Sequence, residues 1–430
     1  MRRHWGTLVL AGTLVIGAPI TYAQSQNGPD SGGPPASTNT ERAGTAGATS
    51  GTPPTITPEP PREWLGSALR WASWSRMTGD WRRARTNLED RGVSFEFTTT
   101  SDGSNVGVNA QRLGRALTTT AATIDLEKLV GLKGSRALVQ YQFLRGIDGG
   151  GGAGIAQTFS NIDAPLFRGL AEAWLEQAFG PRARVKAGLI DANTEFAFVD
   201  NAGEFINSSM GFSPTVFPMP TYPDPHLGIM LRLDREDGAY ASVGAFNGGP
   251  ALGVDDFRAV FTVGETGLTW TRGGGGRAGI GVWRLRGRQL DENDVNQLVT
   301  TSGQYIVFDQ TLWKVERDGA SQSLGVFIQA GRADPRMSAM SSHFGAGLVG
   351  RGLLRSRPDD IVGIGFTDAG ISLSTPDAAL RHELVFETFH RFAITGWMAL
   401  KPDLQIIKHP GGETNRRAIV AGTLRMEIIF

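Results

Sequence analysis

AIVAGTLRMEIIF, residues 418–430, closes the chain and decides how the rest is read. Taken two residues at a time, Ala418, Val420, Gly422, Leu424, Met426, Ile428 and Phe430 share one face. Ala421, Thr423, Arg425, Glu427 and Ile429 share the other. A period of two is that of a β-strand. An apolar face backed by charges of both signs suits a wall with hydrocarbon on one side and water on the other.

The N-terminus agrees with export. MRRHWGTLVLAGTLVIGAPITYAQSQ has two arginines, an apolar run from Leu8 to Ile20, and small residues at Thr21 and Ala23, which reads as a secretory signal peptide cut after Ala23 (1–23). The run is interrupted by Gly12, Gly17 and Pro19, so it is short for an anchor helix. Residues 24–61 are rich in Pro, Gly, Ser and Thr and read as a disordered linker. Residues 62–92 carry Trp64, Trp71, Trp74 and Trp81, with Leu65, Leu69 and Ala72 near helical spacing, and read as an N-terminal helical segment. Lys+Arg and Asp+Glu are both 42, which gives no reason to expect a nucleic-acid partner. With no cysteine there is neither a disulfide framework nor a Cys-ligated metal.

From Val93 to Phe430 the pattern is strands of about ten residues, the length a tilted membrane strand needs. The strands read as 93–102, 116–126, 135–146, 167–179, 183–190, 226–234, 239–247, 380–392, 397–407 and the final one, with hairpins of uncertain edges between 255 and 370. Compact turns (EKLVGLKG, Gly180–Pro181, REDG) alternate with long connections, of which 191–225, at 35 residues, is the longest. Alternating short and long connections separate an outer-membrane barrel from a soluble sandwich. The expectation is an all-β fold: a transmembrane antiparallel β-barrel of about sixteen strands, of outer-membrane porin type.

Parity then assigns faces. In FRGLAEAWLEQAF (167–179), Ala173, Leu175 and Phe179 face lipid together with Gln177, while Glu172, Trp174 and Glu176 face the lumen. An indole beside carboxylates matches a pyranose, which has an apolar ring face and a polar rim. The bland alternative is three solvated lumen residues. In LRHELVFETFHRF (380–392), Leu384, Phe386 and Phe392 point to lipid and Arg381, Glu383, Glu387 and Arg391 to the lumen. His382 and His390 take the lipid parity near the strand ends, with no further metal ligand in view. In WMALKPDLQII, Lys401, Asp403 and Gln405 alternate with apolar neighbours. Enzyme signatures are absent or weak: GGGGAG (149–154) precedes no helix, and GFSPT around Ser213 lacks the final Gly of a nucleophile elbow. The expectation is a non-enzyme without cofactor.

The text resembles the carbohydrate-selective porins of the OprB family over about residues 77–430. TGDW (78–81) with LEDRGVSFEF, IDLEKLVG (124–131), AEAWLEQAFG (171–180), AGLIDANTEFA (187–197), AGEFINSSMG (202–211) and KPDLQII (401–407) with HPGG carry the likeness. The resemblance implies a sixteen-stranded barrel for passive uptake of monosaccharides or small oligosaccharides such as glucose, set in lipid of the bacterial outer membrane. Phe430 resembles the terminal signal read by barrel-assembly machinery. Two departures stand out. The family usually has two glycines and then Arg after GDW, where this chain has Arg82, Arg83 and Ala84 before Arg85; and PMPTYPDPH (218–226) is idiosyncratic.

The 35-residue connection is expected to fold inward and narrow the pore, with Asp191, Asn193, Glu195 and Asn207 as its polar candidates. Together with Glu172, Trp174, Glu176, Arg232, Glu383, Glu387, Asp403 and Gln405 they would line a lumen of mixed charge, which orients hydroxylated solutes and rejects little by sign. Two rival readings remain. A general or ion-selective porin would show a basic ladder, for which Arg184, Lys186 and Arg232 are the hint. A barrel-borne hydrolase or adhesin would use His226 with Ser208 or Ser209. The sequence leaves homo-oligomerisation open.

Overall fold

The computed structural model describes residues 71–107, 111–146, 154–248, 259–290, 296–317, 320–372 and 381–430. The expected signal peptide, the linker, Trp64, Leu65, Leu69 and most of the Gly-rich run at 149–154 lie outside the described residues. Sixteen antiparallel strands close into one barrel. They are β1 Val93–Val106, β2 Gln111–Asp125, β3 Ser135–Gly146, β4 Arg168–Ala178, β5 Ala183–Ile190, β6 His226–Asp234, β7 Ala239–Asn247, β8 Ala259–Trp270, β9 Gly276–Leu290, β10 Asn296–Arg317, β11 Ala320–Ala333, β12 Met340–Arg351, β13 Ile361–Ile371, β14 Arg381–Thr395, β15 Met398–Lys408 and β16 Ile419–Ile429.

Each strand pairs with its sequence neighbours, and β1 closes on β16 with Thr98 opposite Ile429 and Asp102 opposite Arg425. Closure leaves no unpaired edge, the condition for strands in hydrocarbon. The alternation read from the last strand holds: Val420 and Leu424 are half exposed on the outer face, and Ala421, Thr423 and Arg425 are buried inside. LEKLVGLKG (126–134) holds a short helix, α2 Leu126–Val130, whose N-terminus is capped by the Asp125 side chain accepting from the Glu127 and Lys128 amides. β10 runs well past ten residues, because its ladder with β11 continues until Arg317 pairs with Ala320, with a bulge between Thr311 and Trp313. The start of β1, the end of β16 and the shorter turns share one end, called here the turn end. The long connections share the loop end.

The segment before β1 clasps the seam. Its helix, α1 Ala84–Asp90, brings in Arg85, which is fully buried and donates to the carbonyls of Gly79 (3.2 Å), Phe95 (3.3 Å) and Phe430 (3.0 Å). Met77 N–H donates to Ile429 O, and Phe430 N–H to Phe97 O. Trp71 lies against Trp397 at 4.4 Å. The TGDW motif is thus a corner. Gly79 has φ +64°, and a Cβ there would sit 2.7 Å from the Trp74 ring. Asp80 Oδ1 accepts from the Thr86 amide (2.9 Å) and hydroxyl (2.7 Å).

The departure after GDW has a backbone reading. Arg82 and Arg83 hold φ +59° and +73°, the left-handed region that glycine adopts freely. Both side chains are exposed. Arg82→Gly with Arg83→Gly is therefore expected to stabilise the fold, by about 0.5–1 kcal/mol per site. The midpoint of heat-induced loss of the compact electrophoretic band measures it. A lower midpoint in the double variant would show that the arginines contribute something the backbone argument omits.

Candidate functional site

Connection 191–225 leaves β5, turns inward and is buried for most of its length. Short polar caps set its turns: Asp191 Oδ1 accepts the Asn193 amide (2.9 Å), and Asn207 caps a one-turn helix, α3 Ser208–Gly211, by accepting the Ser209 amide (3.0 Å). Its apolar side chains, including Phe196, Phe205, Met210 and Met219, pack on the inner wall against Phe246, Phe261, Trp283, Phe327 and Phe389. Phe205 meets Phe327 edge-on at 5.4 Å and Phe389 at 5.1 Å. The inner face of β7–β11 is therefore strongly apolar, unlike the polar lumen that parity predicts. The inserted connection is what covers it.

Wall carboxylates hold the connection by its backbone. Glu387 accepts the Ile206 (2.5 Å) and Asn207 (3.1 Å) amides, Glu265 the Ala197 amide (2.9 Å) and Asp309 the Asn201 amide (2.8 Å). Gln405 accepts from Asn207 Nδ2 at 3.1 Å and donates to Asp403 at 2.9 Å. Lys401 donates to Glu204 O (3.0 Å).

A second insertion was not anticipated. Residues 155–163, between β3 and β4, also fold inside and are almost wholly buried. Glu383 accepts the amides of Ala156 (2.8 Å), Gln157 (2.6 Å) and Gly411 (2.6 Å). Arg425 chelates Asp102 (2.8 and 2.9 Å) and reaches Asn161 Oδ1 (2.7 Å), and Arg115 pairs with Asp163 at 3.0 Å. The two insertions bond each other, Asn161 N–H to Ile206 O (2.7 Å) and Ser208 N–H to Thr158 O (3.0 Å).

On the facing wall, Glu195 from the connection meets Arg184 and Lys186 of β5. Arg184 also binds Glu176 at 2.8 Å. Burial alone would push the Glu195 carboxyl up, but Arg184 and Lys186 outweigh it and hold the group well below the usual carboxylate range. Trp174 donates to Glu172 (3.1 Å), which also accepts the Asp191 amide (3.2 Å), while Lys186 Nζ stands 4.1 Å over the Trp174 ring. Burial pushes the Asp191 carboxyl up, against the hydrogen bonds it accepts from the Tyr222 and Asn193 amides.

The structure thus brings Glu172, Trp174, Glu176, Asp191, Asn193 and Glu195 together on one side and Asn207, Glu387, Asp403 and Gln405 on the other. Glu383 sits under the second insertion. Arg232 stands apart on β6, bound to Asp234 (2.8 Å) and stacked on Tyr240. Solvent reaches Trp174 and, at the far bend of the connection, Asp200, which stands in the field of Arg277 and Arg351. Inward parity alone would have found Asp102, Arg115, Glu265 and Asp309. His226 bonds Asn247 O (2.5 Å) and faces Asp224 (3.3 Å), so neither ring nitrogen is turned to Ser208 or Ser209. His382 and His390 each face one aspartate, Asp368 and Asp360.

Comparison with known proteins points the same way. The family described as "Carbohydrate-selective porin, OprB family" matches residues 110–288 and 284–430. Porin B of Pseudomonas aeruginosa is 22% identical over 426 residues, covering 82% of this chain and 91% of that protein. The high-pH structure of Pseudomonas putida OprB superposes with a TM-score of 0.74 at 17% identity, over 83% of this chain and 99% of that one. The low-pH structure of the same protein gives 0.56 at 18% identity, with the same coverage.

Proposed function

Since the chain belongs to the OprB family of carbohydrate-selective porins, a family of outer-membrane barrels, we propose that it passes monosaccharides or small oligosaccharides such as glucose into the periplasm by passive diffusion. The observation that carries this is the 35-residue connection braced across the lumen by apolar packing, by Glu387 on its backbone amides and by the Glu195–Arg184 ion pair. It narrows the bore while leaving little net field, which suits a neutral, hydroxyl-rich solute. Trp174, Glu172, Asp191 and Asp200 are the proposed solute-facing groups. Glu383, Glu387, Asn207, Asp403, Gln405, Asn193, Glu176 and Glu195 position the insertions. Arg232 belongs to the wall beneath. Binding is weak, because a conducting site must release its solute.

Under this reading the chain is exported with removal of residues 1–23, and Phe430 marks it for barrel assembly. The ion-selective alternative loses its basic ladder, since Arg184 and Lys186 are both paired with carboxylates and Arg232 with Asp234. Planar-bilayer conductance titrated with glucose and a disaccharide tests the proposal. Saturable block by glucose is expected, and Trp174→Ala should weaken it by about tenfold, the scale of one lost stacking contact. Steps indifferent to sugar but selective for one ion sign would favour the alternative.

A further inference from the structure

The outer wall is unevenly charged. On β8–β10 the lipid-facing side carries exposed Leu268, Ile280, Val282 and Ile306. At the turn end Trp270 and Phe308 stand 6.2 Å apart, placed as an interfacial girdle. Toward the loop end, on the same outward parity, the next side chains of β9 are Arg284 and Arg286, and β11 contributes Arg332, all exposed. Register sets Arg284 opposite Ser302, Arg286 opposite Thr300 and Arg332 opposite Gln304. The three arginines therefore flank one polar stretch of β10 and face the same way.

Depth is readable from the strand. The climb from Gly276 to Arg286 is about 25 Å, at about 3.3 Å per residue and a tilt of about 40°. That is the height of the apolar band of such barrels, so Arg286 emerges at the headgroup level of the outer leaflet, and the long side chains of Arg284 and Arg332 extend toward it from deeper register positions. No carboxylate, hydrogen-bond or ring partner serves these three side chains among the described residues. Unpaired arginines at a lipid boundary are costly unless they meet an anion, and a guanidinium fork matches phosphate oxygens two at a time. Elsewhere at the loop end the outward carboxylate Asp368 is already taken by His382.

We propose that Arg284, Arg286 and Arg332 form a site on the outer wall for the phosphate groups of an anionic outer-leaflet lipid. The site faces away from the lumen and is independent of which solute passes. Such a lipid would fix the tilt and depth of β9–β11, the wall that carries much of the inserted connection.

The test uses the folded full-length barrel in neutral detergent. Native mass spectrometry follows titration with diphosphorylated lipid A, with the same lipid after its phosphates are removed, and with inorganic phosphate as competitor. The phosphorylated lipid is expected to bind about tenfold or more tightly than the dephosphorylated one. The triple variant R284Q/R286Q/R332Q should lose that preference and keep wild-type conductance. Equal binding of the two lipids, or a preference surviving in the triple variant, overturns the proposal. So does inorganic phosphate competing at the lipid's own concentration, since the site would then be for free anions. Should the triple variant not fold, R284K/R286K/R332K replaces it. It keeps the charge but loses the fork, so a reduced but surviving preference is expected, and complete loss or no change overturns the assignment.

Discussion

Glu387→Ala should open the channel. Single-channel conductance is expected to rise by about twofold or more, and block by glucose to disappear, because a constriction that moves off the axis stops selecting. Glu387 accepts two consecutive amides of the inserted connection, Ile206 and Asn207, from one buried side chain. Truncation strands both donors, at about 1–3 kcal/mol each. The wall itself does not depend on them, since β14 keeps its ladders to β13 and β15. The loss therefore falls on the position of the connection and not on barrel closure. Conductance in planar bilayers, with the heat-shifted electrophoretic band as a check on folding, separates the two. A folded variant with wild-type conductance and wild-type block would mean that the aromatic packing around Phe205 holds the connection without Glu387.

The same strand carries the anchor of the other insertion. Glu383, four residues away on the same face, accepts the Ala156 and Gln157 amides. Because the insertions bond each other through Asn161 and Ser208, loosening either anchor should be felt by both. One strand thus anchors both insertions through two glutamates.

How far this was legible in the sequence depends on the range of the interaction. The wall was legible because every outward residue sees the same solvent, lipid, so a period of two persists from Val93 to Ile429. The inward direction of Glu172, Trp174, Glu383, Glu387, Asp403 and Gln405 followed from that parity. What they touch did not. Whether Glu387 faces water or an amide depends on residue 206, far away in the chain, and local pattern carries no such information. The apolar inner wall at Phe246, Phe261 and Trp283 was not legible for the same reason, since inside a porin an apolar residue signals a covering segment rather than lipid. The 155–163 insertion was hidden by the Gly-rich run before it, although the buried polar string QTFSNID was a clue that this loop had a destination. Arg82 and Arg83 were visible as departures from the family pattern, but only their positive φ angles turn the departure into an energy.

Glu195→Gln should release the connection from the opposite wall and remove the Glu195 part of its response to acid. Glu195 is the meeting point of Arg184 and Lys186, all three buried. Removing one charge from such a set costs about 3–5 kcal/mol, because the partners stay buried with less compensation. Here Arg184 keeps Glu176 and Lys186 keeps the Trp174 ring, so the lower end of that range applies. The folded carboxyl is held below the ordinary range, so its stabilisation is fully present above the unfolded pKa of about 4.5. It is lost as pH falls from there toward the depressed folded value. Asp191, pushed up by burial, contributes with the opposite sign: its ionisation disfavours the inserted state above the ordinary carboxylate range, and acid relieves it. The wild-type response is the sum of the two, and its difference from Glu195→Gln isolates the Glu195 part. The absence of cysteine allows a single fluorophore at Asp200→Cys, the exposed bend of the connection, to report position. Below about pH 4.5 the wild-type signal should move toward that of the variant. If the two signals differ by the same amount across the whole acid range, Glu195 is not the group that ties the connection to β5.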